Sequence, residues 1–316
     1  MPTFHLGPGE RWAFVSALAY TAVNITLRLA APKIDPALGS LLRLLPLTVI
    51  AFGVVLASGA RELRPHAPEF LGWRLVATLV AGGASSLVIG NILNFLALTS
   101  GGLGVTVARV QAGSVLGGLW IGLLALGERP WRAQLAAAAL IVAGLVGVGI
   151  AQTSSLAETW LLGLLFALGA GTTYALANVL SRYVQVRRPV LFVTLAVSNL
   201  GGLVPLTLIV VGRAATGEAI AVDAPSAGAV LAAGLANAVA LASLALAVRS
   251  APVATVNTIS SASIVFSFLG SVVLFQETGS LPMVAGILLV TAGIVVAQMR
   301  RVPPPVAAAT PPGVAT

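Results

Sequence analysis

Tyr20-Thr-Ala-Val-Asn24-Ile-Thr-Leu-Arg28 and Tyr174-Ala-Leu-Ala-Asn178-Val-Leu-Ser-Arg182 carry tyrosine, asparagine and arginine at the same spacing, and each lies in a long apolar run. Further matches follow in the same order. Pro46-Leu-Thr-Val-Ile-Ala-Phe-Gly53 aligns with Pro205-Leu-Thr-Leu-Ile-Val-Val-Gly212, and Glu128 and Gly144 correspond to Glu277 and Gly293. One coincidence of this kind means little, but several in register indicate an internal duplication. The copies meet near the short polar connector 152–158, dividing the chain into units 1–155 and 156–300.

Around these landmarks the sequence contains ten apolar stretches: 12–30, 37–58, 75–98, 103–126 and 131–151, then 160–180, 189–211, 227–248, 252–275 and 281–298. A transmembrane helix needs about 20 mostly apolar residues, so each stretch is long enough to span. The predicted fold class is therefore an all-α integral membrane protein of ten transmembrane helices. Five spans per repeat place the second half upside down relative to the first, and inverted halves are the architecture of secondary transporters. The first stretch could be mistaken for a cleaved signal peptide. Its length, its Asn24 and Arg28, and its recurrence at mid-chain identify it instead as the first span.

Composition agrees. Mean hydropathy is +1.02, with 58% hydrophobic and only 8% charged residues. A soluble domain carries roughly 25% charged residues, so an aqueous globule is excluded. The formal charge of +8 does not point to nucleic acid, because the basic residues sit in the short connections between spans. If both termini are cytoplasmic, that side holds Arg11, Arg61, Arg64, Arg74, Arg129, Arg132, Arg182, Arg187, Arg188, Arg249, Arg300 and Arg301. The opposite side holds Arg28, Lys33 and Arg213, a bias that sets the orientation in the cell's inner membrane. Trp12, Trp73, Trp131 and Trp160 fall at span ends, where interfacial anchors belong. The proline- and alanine-rich tail 301–316 is expected to be disordered.

The chain resembles the drug/metabolite transporter superfamily, in particular proteins with two EamA-type repeats. The resemblance rests on the aromatic–small–Asn–basic pattern of Tyr20, Asn24 and Arg28, on Arg43 partway along the second span, and on the turn Gly127-Glu128-Arg129 closing the fourth. It implies a carrier of small metabolites, amino acids and their derivatives being typical. It also implies a pathway enclosed by helices one to four and six to nine, with five and ten outside. Family members usually have a proline early in helices four and nine, where this chain has Ser114-Val115 and Ser263-Ile264.

Polar groups are costly in hydrocarbon, so their positions point to function. The ten spans contain no Asp, Glu or His, which argues against a proton-trading carboxylate of the kind a proton-coupled cation exporter needs. Glu128 and Glu277 lie at span ends and read as turn or helix-end residues. The embedded cations Arg43 and Arg109, with Arg28 and Lys33 at a similar level, suggest a basic vestibule for an anionic or zwitterionic solute. The bland alternatives are snorkelling toward headgroups, or pairing of Arg28 or Lys33 with Asp35. The candidate solute-binding residues are Arg43, Arg109, Asn91, Asn94, Tyr20, Asn24, Tyr174, Asn178, Asn257 and Ser260. Any single Asn or Ser among them is more simply an interhelical hydrogen bond; the group, drawn from many spans, suggests a polar hollow. Gln111 follows Arg109 by two positions and should face away from it.

No catalytic residue, metal ligand or cofactor is expected. Cysteine is absent, and His5 and His66 lie outside every span. An intramembrane enzyme would need embedded acids or a base to activate the serines of span nine, and none is present. The expected activity is alternating-access transport of a small solute, with a flippase or scaffold for an anionic lipid-linked precursor as the alternative. The expected partners are that solute and the bilayer, not nucleic acid. Small-xxx-small spacings at Gly113/Gly117 and Gly118/Gly122 permit close helix packing, within one chain or in a homodimer.

Overall fold

A computed structural model describes residues 7–59, 61–126, 132–152, 157–188, 190–251, 253–277 and 279–298. The tail and the Gly127-Glu128-Arg129 turn lie outside the described residues. The helices are α1 (Pro8–Ala30), α2 (Pro36–Ala57), α3 (Trp73–Gly83), α4 (Asn91–Gly101), α5 (Leu103–Leu126) and α6 (Arg132–Gln152). They continue as α7 (Ala157–Arg187), α8 (Leu191–Ala215), α9 (Ala224–Ser250), α10 (Val253–Ser260), α11 (Ala262–Phe275) and α12 (Leu281–Gln298). A π-helical segment, Ala84–Gly90, joins α3 to α4 without a break, and α10 and α11 are separated only by Ser261. No strand occurs among the described residues.

Helix starts are set by local chemistry. Pro36 opens α2, where its missing N–H costs nothing, and the Asp35 carboxylate accepts from the Ala37 and Leu38 backbone N–H groups at 2.9 and 3.1 Å. Asp223 does the same for α9, accepting from the Ser226 N–H at 2.7 Å. At α1 the Glu10 side chain reaches back to the Gly7 N–H at 2.9 Å.

Seven described helical segments are long and apolar enough to cross a membrane: Pro8–Ala30, Pro36–Ala57, Trp73–Gly101, Arg132–Gly149, Trp160–Gln185, Leu191–Ala215 and Ala224–Ala247. Burial is inverted relative to a water-soluble protein. Leu281 is 82% exposed, Leu124 77% and Val273 75%, whereas Arg109 is 1% exposed. Apolar side chains face outward because lipid, not water, surrounds them.

Helices of the first half pack on helices of the second. α1 lies along α9 and also against α10 and α11; α7 lies along α3–α4 and also against α5. α2 packs on α8, and α6 on α12. The α6–α12 crossing is tight enough to specify its residues. A Cβ built on Gly144 would lie 2.6 Å from the Gly286 carbonyl oxygen and 2.8 Å from the Val290 nitrogen. A Cβ on Gly293 would lie 2.8 Å from the Ala137 carbonyl oxygen and 3.1 Å from the Ile141 nitrogen. The same offset separates Gly144 from Gly293, Ala137 from Gly286, and Ile141 from Val290, so exchanging the two helices maps one set of contacts onto the other. Gly113 and Gly117 pack on Leu168 and Thr172 of α7 in the same chain, which accounts for their spacing without a second copy.

Candidate functional site

Four of the expected site residues come together where α1, α2, α4 and α7 meet. Arg43 donates from Nη1 to Asn91 Oδ1 at 3.3 Å, and the Tyr174 hydroxyl donates to the same oxygen at 2.9 Å. Tyr174 also lies within hydrogen-bonding reach of Arg43, and Tyr20 is close enough to feel its charge. Two donors on one oxygen fix the Asn91 amide, so that its nitrogen must be the other end of the group. That nitrogen is buried and has no hydrogen-bond partner.

The backbone explains why these groups can meet. Asn91 immediately follows the π-helical segment, and its N–H bonds back to the Ser86 carbonyl five residues earlier. Such segments are rare and are frequent at functional sites because they re-aim the following turn. Gly90 clears the way for α7: a Cβ there would lie 2.5 Å from Thr173 Oγ1 and 2.7 Å from Tyr174 Cε1. On α2, Arg43 lies close to Pro46, which cannot donate to the Leu42 carbonyl. Gly234 of α9 admits that stretch closely, a Cβ there lying 2.5 Å from the Arg43 carbonyl oxygen.

Other candidates are placed elsewhere. Asn24 donates to Ser267 Oγ of α11 at 3.1 Å, the interhelical bond that a lone asparagine suggests. Asn94 is buried one turn beyond Asn91. Asn178 is exposed and lies outside the Arg43 group. Ser260 ends α10 beside the break at Ser261, and its hydroxyl is buried without a partner. Asn257 lies on α10, and its side chain is outside the described residues. Sequence reading did not single out Thr194, Ser198 and Asn199 of α8, which also carry buried polar atoms without partners. Their only sequence signal was a polar cluster within an apolar span.

Arg109 does not join Arg43. Its guanidinium lies over the Trp160 ring, 5.6 Å from the centroid, and a Cβ on Gly101 would be 3.3 Å from its Nη1. Trp160 therefore packs against a cation inside the protein instead of anchoring at the interface; its ring also abuts Gly149. Gln111 is exposed while Arg109 is buried, as their spacing predicts.

Of the cations expected to form a basic vestibule, Arg28 is offset by an acid. Arg28 donates to the Leu98 carbonyl oxygen, and its Nε lies 3.6 Å from Glu277 Oε1. Glu277 also accepts from the Leu103 N–H at 2.7 Å and the Gly104 N–H at 3.4 Å, closing the start of α5. Gly102 permits this turn twice over. Its φ is +77°, and a Cβ would lie 2.8 Å from a Glu277 oxygen. Asp35 pairs with Arg213 at 2.8 Å, not with Arg28 or Lys33, and Arg213 also holds Glu218 at 2.6 Å. In the connection 216–223 the Arg213 guanidinium holds the Glu218 carboxyl below its ordinary range. Hydrogen bonds from Ser226, aided by the Lys33 charge, do so for Asp223. Arg43 differs: no described carboxylate lies within ion-pair distance of it.

Residues 161–299 match the model of the EamA-like transporter family. The match lies in the second half of the chain and is consistent with a member of the drug/metabolite transporter superfamily. A solved crystal structure of a protein 18% identical shares the fold at a TM-score of 0.59, covering 92% of this chain and 96% of that chain. No curated protein matches the chain.

Proposed function

From the EamA-like match in the second half and a fold shared across nearly the whole chain, we propose that the protein is a secondary transporter. It moves a small anionic or zwitterionic solute across the cytoplasmic membrane by alternating access. Residues 1–155 and 156–300 are its two inverted five-helix repeats, and both termini face the cytoplasm. The helix pairing supports this reading, because exchanging the halves exchanges α1–α9 with α7–α3/α4 and leaves α2–α8 and α6–α12 as self-pairs. The self-paired α6 and α12 then form an outer brace, and the remaining helices surround the pathway.

The observation that carries the proposal is the Arg43–Asn91–Tyr174 group, built from both halves and set beside a π-helical segment. A guanidinium held in apolar surroundings without an acid attracts an anionic group, and polar atoms left without partners are where a solute can bind. The end of the molecule bearing Arg28, Glu277, Asp35 and Arg213 is closed by ion pairs. Rocking of the halves must break these pairs to open that side. No span carries an acid to trade protons, so exchange or movement down a gradient is the expected mode.

Purified protein in proteoliposomes tests this with radiolabelled amino acids and small organic anions. Counterflow without a pH gradient is expected, with at least a tenfold loss in Arg43→Ala. Equal flux in that variant, or uptake that depends absolutely on a pH gradient, overturns the reading.

A further inference from the structure

Building on the carrier reading, we propose that the Arg43 site takes a small organic monocarboxylate without an ammonium group, in preference to the matching amino acid. The inference rests on what the site offers and what it lacks. Arg43 donates a hydrogen bond to Asn91 and has no anionic partner among the described residues. Asn91 has its oxygen taken by two donors and its buried amide nitrogen unpartnered. The site therefore presents a guanidinium and a fixed amide N–H group, both planar donors. This is the complement of the two oxygens of a carboxylate.

An amino acid would also require a place for its ammonium group. Such a group beside a guanidinium needs an acid or a set of acceptors to offset the like charge. The full sequence has nine acids, Glu10, Asp35, Glu62, Glu69, Glu128, Glu158, Glu218, Asp223 and Glu277, all in connections or at span ends. Those whose contacts are described are engaged there: Glu10 at the start of α1, Asp223 at the start of α9, Asp35 and Glu218 with Arg213, and Glu277 with Arg28 and α5. The Tyr174 hydroxyl donates its proton to Asn91 and offers only neutral lone pairs, which do not offset the charge of an ammonium group.

Charge balance leads to the same class. One guanidinium and one carboxylate leave the loaded site neutral. A zwitterion leaves it with a net positive charge, and a phosphate dianion with a net negative one. An alternating-access site must be sealed from water while loaded, and a net charge sealed in low dielectric is disfavoured.

The test uses full-length protein in proteoliposomes, with 2-oxo and 2-hydroxy acids, the 2-amino acids of the same carbon skeletons, and glycerol phosphate. Oxo or hydroxy acids are expected to move at least tenfold faster than the matched amino acids and glycerol phosphate. Arg43→Gln is expected to abolish the flux. Asn91→Asp supplies the missing acid, so it is expected to lose the monocarboxylate and narrow the discrimination against amino acids. Melting temperatures of both variants in detergent report whether they fold. If a folded Asn91→Asp keeps the wild-type ranking, the proposal is overturned. Amino acids moving as well as or better than the oxo acids, with loss in Arg43→Gln, overturn the monocarboxylate assignment and leave the carrier reading intact. Faster glycerol phosphate flux overturns it in favour of a phosphate site. No flux of any probe, with no effect of Arg43→Gln on binding, overturns both.

Discussion

At the scale of single residues, the site depends on one missing side chain as much as on those present. Tyr174 reaches Asn91 only because Gly90 leaves room beneath its ring. Gly90→Ala would place a carbon 2.7 Å from Tyr174 Cε1, forcing the tyrosine or α7 to shift. Overpacking of this kind costs about 1–3 kcal/mol in stability. The larger expected effect is on transport: at least a fivefold rise in apparent KM with a melting temperature only a few degrees lower. Unchanged KM in a folded Gly90→Ala would detach Tyr174 from solute binding. Sequence reading placed Tyr20, Arg43, Asn91 and Tyr174 in one candidate group, because polar residues inside apolar spans are conspicuous. It could not separate Arg43 from Arg109. Both are embedded arginines at similar depth, and the difference lies in Trp160, distant in sequence and read there as an interfacial anchor.

At the scale of helices, Glu277 does two jobs that a span-end acid does not advertise. It caps α5 through the Leu103 and Gly104 N–H groups and pairs with Arg28, which in turn holds the end of α4. Glu277→Gln keeps an acceptor for the cap and loses the charge; Glu277→Ala loses both. Loss of a helix cap costs about 0.5–2 kcal/mol, and a partly exposed ion pair adds at most about 1 kcal/mol. Thermal unfolding in detergent is expected to rank wild type above Gln and Gln above Ala. Equal melting temperatures for all three would show that this contact does not hold the helix ends together. The helix-end role of Glu277 was readable from its position after an apolar run. The π-helical segment at Ala84–Gly90 was not, since its apolar and small residues suit an ordinary helix equally well and tertiary contact decides. Gly83 closes on the Ser198 carbonyl and Gly90 on Tyr174, two crossings that no local pattern reveals.

At the scale of the whole molecule, the α6–α12 contact had a sequence signal: Gly144 and Gly293 were matched by position and meet equivalent neighbours on opposite helices. The inside–outside assignment came only from the distribution of arginines. What sequence could not supply was which charges cancel. Asp35 finds Arg213 and Arg28 finds Glu277, each partner from the far half of the chain, and the second pair offsets one of the charges attributed to a vestibule. The ion-paired end gathers Lys33, Asp35, Arg213, Glu218 and Asp223, whereas Glu62 and Arg188 lie in the connections after α2 and α7, beyond the other ends of those helices. If the halves are inverted and both termini cytoplasmic, the first group faces outward and the second inward. The chain has no cysteine, so a single introduced thiol reports alone. In intact cells a membrane-impermeant thiol reagent is expected to label Lys33→Cys and Glu218→Cys directly, and Glu62→Cys and Arg188→Cys only after permeabilisation. Labelling of Lys33→Cys and Glu62→Cys from the same side would put both ends of α2 on one face. The second span, and with it the inverted arrangement that makes Arg43 a mid-pathway residue, would then have to be abandoned.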